Sequence, residues 1–171
     1  LLLAGCDRLT APSQGAVPPF KGIDISGATY ARGFHLTDAN GQRRSLTDFK
    51  GRVVMLYFGF VQCPDVCPTA LMRAAAVMQQ LGPQAADLQV VFVTVDPERD
   101  TPELLRDYMA SADECRVYFK KVPTGSSYTM DHTALSYLFD RQGRIRTVLR
   151  HEQTADDYAA DVRALLAEPP V

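Results

Sequence analysis

Residues 53–70 read VVMLYFGFVQCPDVCPTA, so a run of apolar residues leads directly into two cysteines. The run from 53 to 60 is β-branched, aromatic or aliphatic without alternation, which is typical of a central strand covered on both faces. Beyond the cysteines, residues 68–81 carry apolar side chains at helical spacing, and Gly82-Pro83 predicts the end of that helix. The stretch predicts a buried strand joined to a helix through a cysteine motif.

A second strand and helix follow the first pair. Residues 90–95 repeat the buried-strand pattern, and Thr101-Pro102-Glu103 predicts a helix with a capping residue and a proline in its first turn. Because strand and helix alternate here, we expect the two strands to lie parallel in one sheet.

Two hairpins and a closing helix complete the pattern. Asn40-Gly41 predicts an opening hairpin, and residues 134–140 and 145–150 predict a second one near the other end. Residues 154–166 predict a closing helix with an acidic first turn. Together the elements predict an α/β fold, a thioredoxin-like sandwich with a central mixed β-sheet and an N-terminal β-hairpin.

The composition fits one globular domain. The chain has 171 residues, of which 46% are hydrophobic and 22% charged, enough for one core and too few for two comfortable domains. The formal net charge is −2, and no basic cluster interleaves with aromatic residues. Nucleic acid is therefore not expected as a partner.

The N-terminal residues resemble an export signal. Residues 1–6, LLLAGC, are similar to the end of a bacterial lipoprotein signal that is cleaved before its cysteine. This interpretation makes Cys6 a lipidation site that anchors the protein to the membrane, at the periplasmic face of the inner membrane in the bacterial cell envelope. Residues 7–25 are rich in Pro, Ser, Gly and Ala and are expected to form a flexible linker, with the globular domain at 26–171.

Cys63 and Cys67 lie where the first buried strand meets the first helix. A helix that begins within this motif would place both sulfurs on nearly one face, and its N-terminus would favour thiolates. Three chemistries fit such a pair. A structural disulfide would close only a very short loop and add little stability.

The other two chemistries are thiol-disulfide exchange and metal capture. Exchange normally uses two residues between the cysteines, whereas this motif has three. Two soft thiolates select copper(I) or zinc, and zinc would require four ligands. A peroxide-reducing site is disfavoured because Pro64 stands where such a site needs a hydroxyl side chain.

A third metal ligand would have to come from one of three histidines. His35 falls in the opening hairpin and His151 before the final helix, positions typical of solvated side chains. His132 directly precedes a buried-type strand, where α/β sheets present ligands, although a histidine there is more often structural than a ligand.

Three motifs in order resemble the Sco (SenC) family of copper-binding assembly factors. They are CPDVCP at 63–68 with YFGF before it, VTVDPERDTP at 93–102, and Asp131-His132-Thr133. The resemblance extends over about residues 33–167, although the sequence is shorter than the family pattern between Tyr108 and Tyr118.

The resemblance implies a site and a role. Cys63, Cys67 and His132 would bind copper as copper(I), with copper(II) left open, and Asp96-Pro97 would lie near that site. The implied function is a metallochaperone for the copper centre of cytochrome c oxidase, with the copper-containing subunit and another periplasmic copper chaperone as partners. The alternative is a thiol-disulfide reductase, an enzyme in which Cys63 and Cys67 are the catalytic residues and keep the cysteines of these partners reduced.

Overall fold

The computed structural model describes residues 20–63, 66–110, 116–119 and 134–169, with backbone alone for 110 and 116–119. The strands are β1 (Ile23–Asp24), β2 (His35–Asp38), β3 (Arg43–Ser45), β4 (Val53–Gly59), β5 (Leu88–Thr94), β6 (Arg116–Phe119), β7 (Leu135–Phe139) and β8 (Ile145–Arg150). The helices are α1 (Val66–Leu81), α2 (Pro102–Ala110) and α3 (Ala155–Leu166). Short 3₁₀ turns lie at Leu46–Phe49 and Gly82–Asp87.

The strands form one mixed sheet in the order β1-β8-β7-β4-β5-β6-β2-β3. β4 pairs in parallel with β5, and β5 in parallel with β6, whereas β4 and β7 run antiparallel. The predicted parallel pair and the central mixed sheet are therefore confirmed. β4 begins at Val53, as predicted, and continues to Gly59 in register with Thr94.

Both faces of β4 are buried, which explains its unbroken apolar run. Met55 and Tyr57 belong to a cluster formed with side chains from all three helices. Val54 and Leu56 belong to a second cluster on the opposite face, which the Leu46–Phe49 turn helps to cover. A strand between two apolar layers has no side that favours polar residues.

Matching turns close the two hairpins. In each, a buried aspartate at the end of the first strand accepts hydrogen bonds from the backbone amides two and four residues later: Asp38 before β3 and Asp140 before β8. Gly41 and Gly143 take positive φ angles of 79° and 78° there. Glycine adopts this backbone conformation without steric cost. β2 pairs antiparallel with β3 and β7 with β8, so both predicted hairpins are confirmed.

The helix boundaries differ slightly from the expected ones. α1 begins at Val66, inside the cysteine motif, and not at residue 68. α3 begins at Ala155 with Thr154 as its N-cap, and Thr154 and Asp157 form a reciprocal capping box. No helix among the described residues is long and apolar enough to cross a bilayer.

The folded region begins earlier than the predicted start at residue 26. β1 at Ile23–Asp24 pairs with β8, and the backbone amides of Lys21 and Gly22 donate to the buried Asp161 carboxylate at 2.6 and 2.9 Å. The predicted linker at 7–25 is therefore wrong for residues 20–25. The cause is a contact with a residue about 140 positions away, which local composition cannot reveal. Residues 1–19, including Cys6, lie outside the described part of the chain.

Candidate metal centre

The cysteine motif lies beyond the carboxyl ends of two parallel strands. β4 ends at Gly59 and β5 at Thr94, and the backbone amide of Val95 donates to the Gly59 carbonyl at 2.8 Å. Cys63 lies in the loop after β4 and Cys67 in the first turn of α1. Ligands of open α/β sheets bind in this place, because the loops there converge.

Both cysteines are thiols in the interior of the protein. Cys63 is 8% exposed and Cys67 is fully buried, and no disulfide joins them. Both side chains belong to the same buried cluster, and the pKa of Cys67 is raised by burial and, to a smaller extent, by the Cys63 thiol. The structure thus brings together two of the three predicted ligands.

Cys67 packs against the end of β4 with no spare room. A Cβ atom on Gly59 would lie 2.8 Å from Cys67 Sγ and 2.8 Å from the Phe92 ring. The Tyr57 hydroxyl donates a hydrogen bond to Cys67 Sγ at 3.7 Å. Gly59 is therefore required because the cysteine sulfur occupies the space of its missing side chain.

Burial controls the ionisation of Cys67. It raises the pKa of the thiol to about 12, although hydrogen bonds from the Phe60 backbone and the Tyr57 hydroxyl act in the opposite direction. The sequence-based expectation that both sulfurs ionise easily is therefore wrong for Cys67, because the loss of solvation on burial outweighs the hydrogen bonds that favour the thiolate. At neutral pH this sulfur keeps its proton unless a metal displaces it.

Aromatic side chains line the interior side of Cys67. The Phe92 ring centroid lies 6.0 Å from those of both Tyr57 and Tyr108. Burial, together with the nearby sulfurs, raises the pKa of Tyr108 to about 12, and burial raises that of Tyr57 as well. Both phenols are therefore neutral at physiological pH, and these aromatic side chains place no charge beside the Cys67 thiol.

The Asp96-Pro97 motif forms the turn that ends β5. The buried Asp96 carboxylate pairs with Arg99, and the Asp96 carbonyl accepts the backbone amides of Arg99 and Asp100 at 3.2 and 2.9 Å. Asp96 thus has a turn-forming role near the cysteine loop.

Sequence reasoning missed Asp100, whose carboxylate accepts the backbone amide of Val61 in the cysteine loop. Its only sequence signal is its place in the motif at 93–102.

The histidines are unevenly placed. His35 is exposed on β2. His151 lies just after β8, and its Nδ1 is 3.5 Å from a guanidinium nitrogen of Arg73. Among the residues that the structure describes, no three His, Cys, Asp or Glu side chains are grouped to hold a metal ion. His132 lies outside the described residues, as do Asp131 and Cys115, so its role as the third ligand stays a prediction.

The fold and site define a thioredoxin-like protein with two interior thiols where a strand is joined to a helix. A model of the SCO1/SenC family matches residues 24–115 and 110–167, and the chain belongs to that family. The two matched stretches overlap at residues 110–115.

Individual relatives agree with this assignment. The chain is 33% identical over 132 residues to an SCO2-like protein of Rickettsia prowazekii, a match that covers 65% of this chain and 64% of the relative. It therefore spans about 64% of the length of that curated relative.

Two solved structures are similar in fold and sequence. Bradyrhizobium japonicum ScoI, determined with copper bound, is 37% identical to this chain with a TM-score of 0.65. The match covers 78% of this chain and 97% of the ScoI chain. Apo Sco1 of Thermus thermophilus is 29% identical with a TM-score of 0.74, and the match covers 88% of this chain and 99% of the Sco1 chain. The predicted thioredoxin-like fold is confirmed.

Proposed function

We propose that the protein is a copper(I)-binding metallochaperone for the copper centre of cytochrome c oxidase, with Cys63, Cys67 and His132 as its ligands. The observation that carries this proposal is the pair of buried thiols in one side-chain cluster, with Cys63 in the loop after β4 and Cys67 in the first turn of α1. A relative 37% identical to this chain was solved with copper bound, which supports the choice of metal.

The donor set fits copper(I) better than the other metals that bind sulfur. Thiolates are soft ligands and favour copper(I) or zinc over hard cations. A structural zinc site takes four ligands, whereas the described residues bring together only two cysteines. With His132 the set reaches three, which is a low coordination number and suits a metal that must later be released.

The difference in burial gives the two sulfurs separate tasks. Cys63 is the less buried residue of the pair, at 8% exposed, so a partner's ligand would reach the metal from its side, whereas Cys67 is enclosed by Tyr57, Gly59 and Phe92. Metal binding must displace the Cys67 proton, so copper loading releases protons to solvent. Bound copper would supply a soft Lewis-acid centre for ligand exchange with the receiving protein.

The proposed place of action and partners rest on the resemblance of residues 1–6 to a lipoprotein signal and on the family. We propose that a lipidated Cys6 holds the domain at the periplasmic face of the inner membrane. There it would meet the copper-containing oxidase subunit and another periplasmic copper chaperone.

The test of this proposal is the His132→Ala variant. Loss of one of three ligands should lower the copper(I) affinity of the reduced protein by at least about tenfold, or ~1.4 kcal/mol. Affinity is measured by competition with a chromophoric copper(I) chelator. His35→Ala and His151→Ala are the controls, since one side chain is exposed and the other contacts Arg73. Equal affinity in all three variants would exclude His132 as a ligand.

The unequal exposure of the cysteines also favours a second candidate, a thiol-disulfide reductase. In that role Cys63 attacks a partner's disulfide, and Cys67 resolves the mixed disulfide as its proton leaves, so that the partner gains two thiols and this protein gains a disulfide. Reduction of an oxidised oxidase-subunit domain, measured for wild type and His132→Ala, separates the two functions. High activity that is indifferent to His132 favours the reductase.

A further inference from the structure

Asp100 lies in the turn between β5 and α2 and is 1% exposed. Its carboxylate accepts the backbone amide of Val61 through both oxygens, at 3.1 and 3.3 Å. The hydroxyl of Thr94 donates a second hydrogen bond to the same carboxylate. Burying a carboxylate costs free energy unless hydrogen bonds replace its lost hydration. The Val61 amide and the Thr94 hydroxyl supply these hydrogen bonds to Asp100.

The carboxylate is itself fixed to the end of β5. The Asp100 amide donates to the Asp96 carbonyl at 2.9 Å, and the Asp96 amide donates to the Thr94 hydroxyl oxygen at 3.0 Å. Arg99 pairs with the Asp96 carboxylate on the outer side of the turn. Asp100 is thus part of a rigid turn on β5, while Val61 belongs to the loop that follows β4.

Val61 lies two residues before Cys63 in that loop. The Cys63 amide donates to the Phe60 carbonyl at 3.2 Å, so residues 60–63 form a turn whose orientation depends on where Val61 is held. Cys67, by contrast, is placed by α1 and by the space at Gly59. The two sulfurs are therefore positioned by different parts of the fold, and the Asp100 contact with Val61 couples them.

We infer that Asp100 is a positioning residue: by holding the Val61 amide it sets the place of the Cys63 sulfur relative to the Cys67 sulfur. In this role Asp100 acts through the Val61 backbone and is not itself a metal ligand. The effect on copper rests on the proposed function, whereas the effect on disulfide formation between the two cysteines does not.

The test compares Asp100→Asn and Asp100→Ala with a matched control. Asp161 is also a buried aspartate at 1% exposure, and it accepts the backbone amides of Lys21 and Gly22, away from the cysteine loop. Asp161→Asn should therefore lose comparable stability without affecting the cysteines. Both readouts are taken on the reduced, folded protein: copper(I) affinity, and the equilibrium constant for the Cys63–Cys67 disulfide against a glutathione buffer.

Each Asp100 variant should lower copper(I) affinity by about 10-fold to 100-fold, the usual cost of losing a residue that orients a ligand. The disulfide equilibrium constant should change by at least about threefold, while Asp161→Asn leaves both values at wild type. Wild-type values in the folded Asp100 variants, or the same changes in Asp161→Asn, would overturn the inference. If the wild type binds no copper, the proposed function is wrong, and the disulfide equilibrium constant still tests whether Asp100 positions Cys63.

A second measurement applies if the Asp100 variants do not fold. In the wild-type protein the Val61 amide should exchange its hydrogen slowly, because it is held by a buried carboxylate. Amide hydrogen exchange followed by NMR reports this directly. Rapid exchange at Val61 within a loop that is otherwise protected would show that the contact does not hold the loop, and the inference would be wrong.

Discussion

Cys67→Ser is expected to lower the copper(I) affinity of the reduced protein by more than about 100-fold, because losing a residue that merely orients a ligand already costs 10- to 100-fold. The serine oxygen is a hard donor in place of a soft thiolate. The measurement is copper(I) competition titration, with circular dichroism to verify the fold. Serine is close to cysteine in size and can still accept the Tyr57 hydrogen bond, so the fold should persist.

Cys63→Ser should show a similar loss, and Cys115→Ser serves as the thiol control because it lies outside the motif. If Cys67→Ser retained wild-type affinity, copper would have to be held by groups other than the interior pair. The copper(I) proposal would then be wrong even though the fold assignment stood.

Gly59→Ala is expected to destabilise the protein by about 1–3 kcal/mol, the usual cost of forcing a methyl group into a packed interior. The new Cβ would lie 2.8 Å from both Cys67 Sγ and the Phe92 ring, so one of them must move. Thermal unfolding should show a melting temperature lower by roughly 2–4 °C for each kcal/mol. Copper(I) affinity should fall as well, since the displaced sulfur is a ligand.

Gly33→Ala is the matched control, because no atom lies within 4 Å of its Cβ position and its φ is not in the left-handed range. Its stability should stay within about 0.5 kcal/mol of wild type. A Gly59→Ala variant that is as stable as Gly33→Ala and binds copper normally would show that the sulfur does not occupy this space.

Much of the fold could be predicted from the sequence, because its strands and turns depend on apolar patterns and turn residues that lie close together in the chain. The apolar run at 53–60 predicts a strand covered on both faces, and Met55 and Leu56 do point into different clusters. Asn40-Gly41 predicts a hairpin because the turn needs a positive φ. The start of the folded region could not be predicted, because Lys21 and Gly22 are held by Asp161, far along the chain.

The candidate site was predictable in its residue types but not in its energetics. The motif at 63–68 places two sulfurs at a helix N-terminus, which by itself favours thiolates. Burial raises the pKa of the Cys67 thiol, and this effect depends on tertiary packing around Tyr57 and Phe92. Asp100 could not be recognised either, since its hydrogen bond to Val61 crosses between two loops.

The most direct test of the proposed copper centre is X-ray absorption spectroscopy of the reduced wild-type protein loaded with one equivalent of copper(I). The expected spectrum shows two sulfur neighbours and one nitrogen neighbour around copper, with the nitrogen lost in His132→Ala and both sulfurs kept. A shell of nitrogen or oxygen alone, or a single sulfur neighbour, would contradict binding by the Cys63–Cys67 pair.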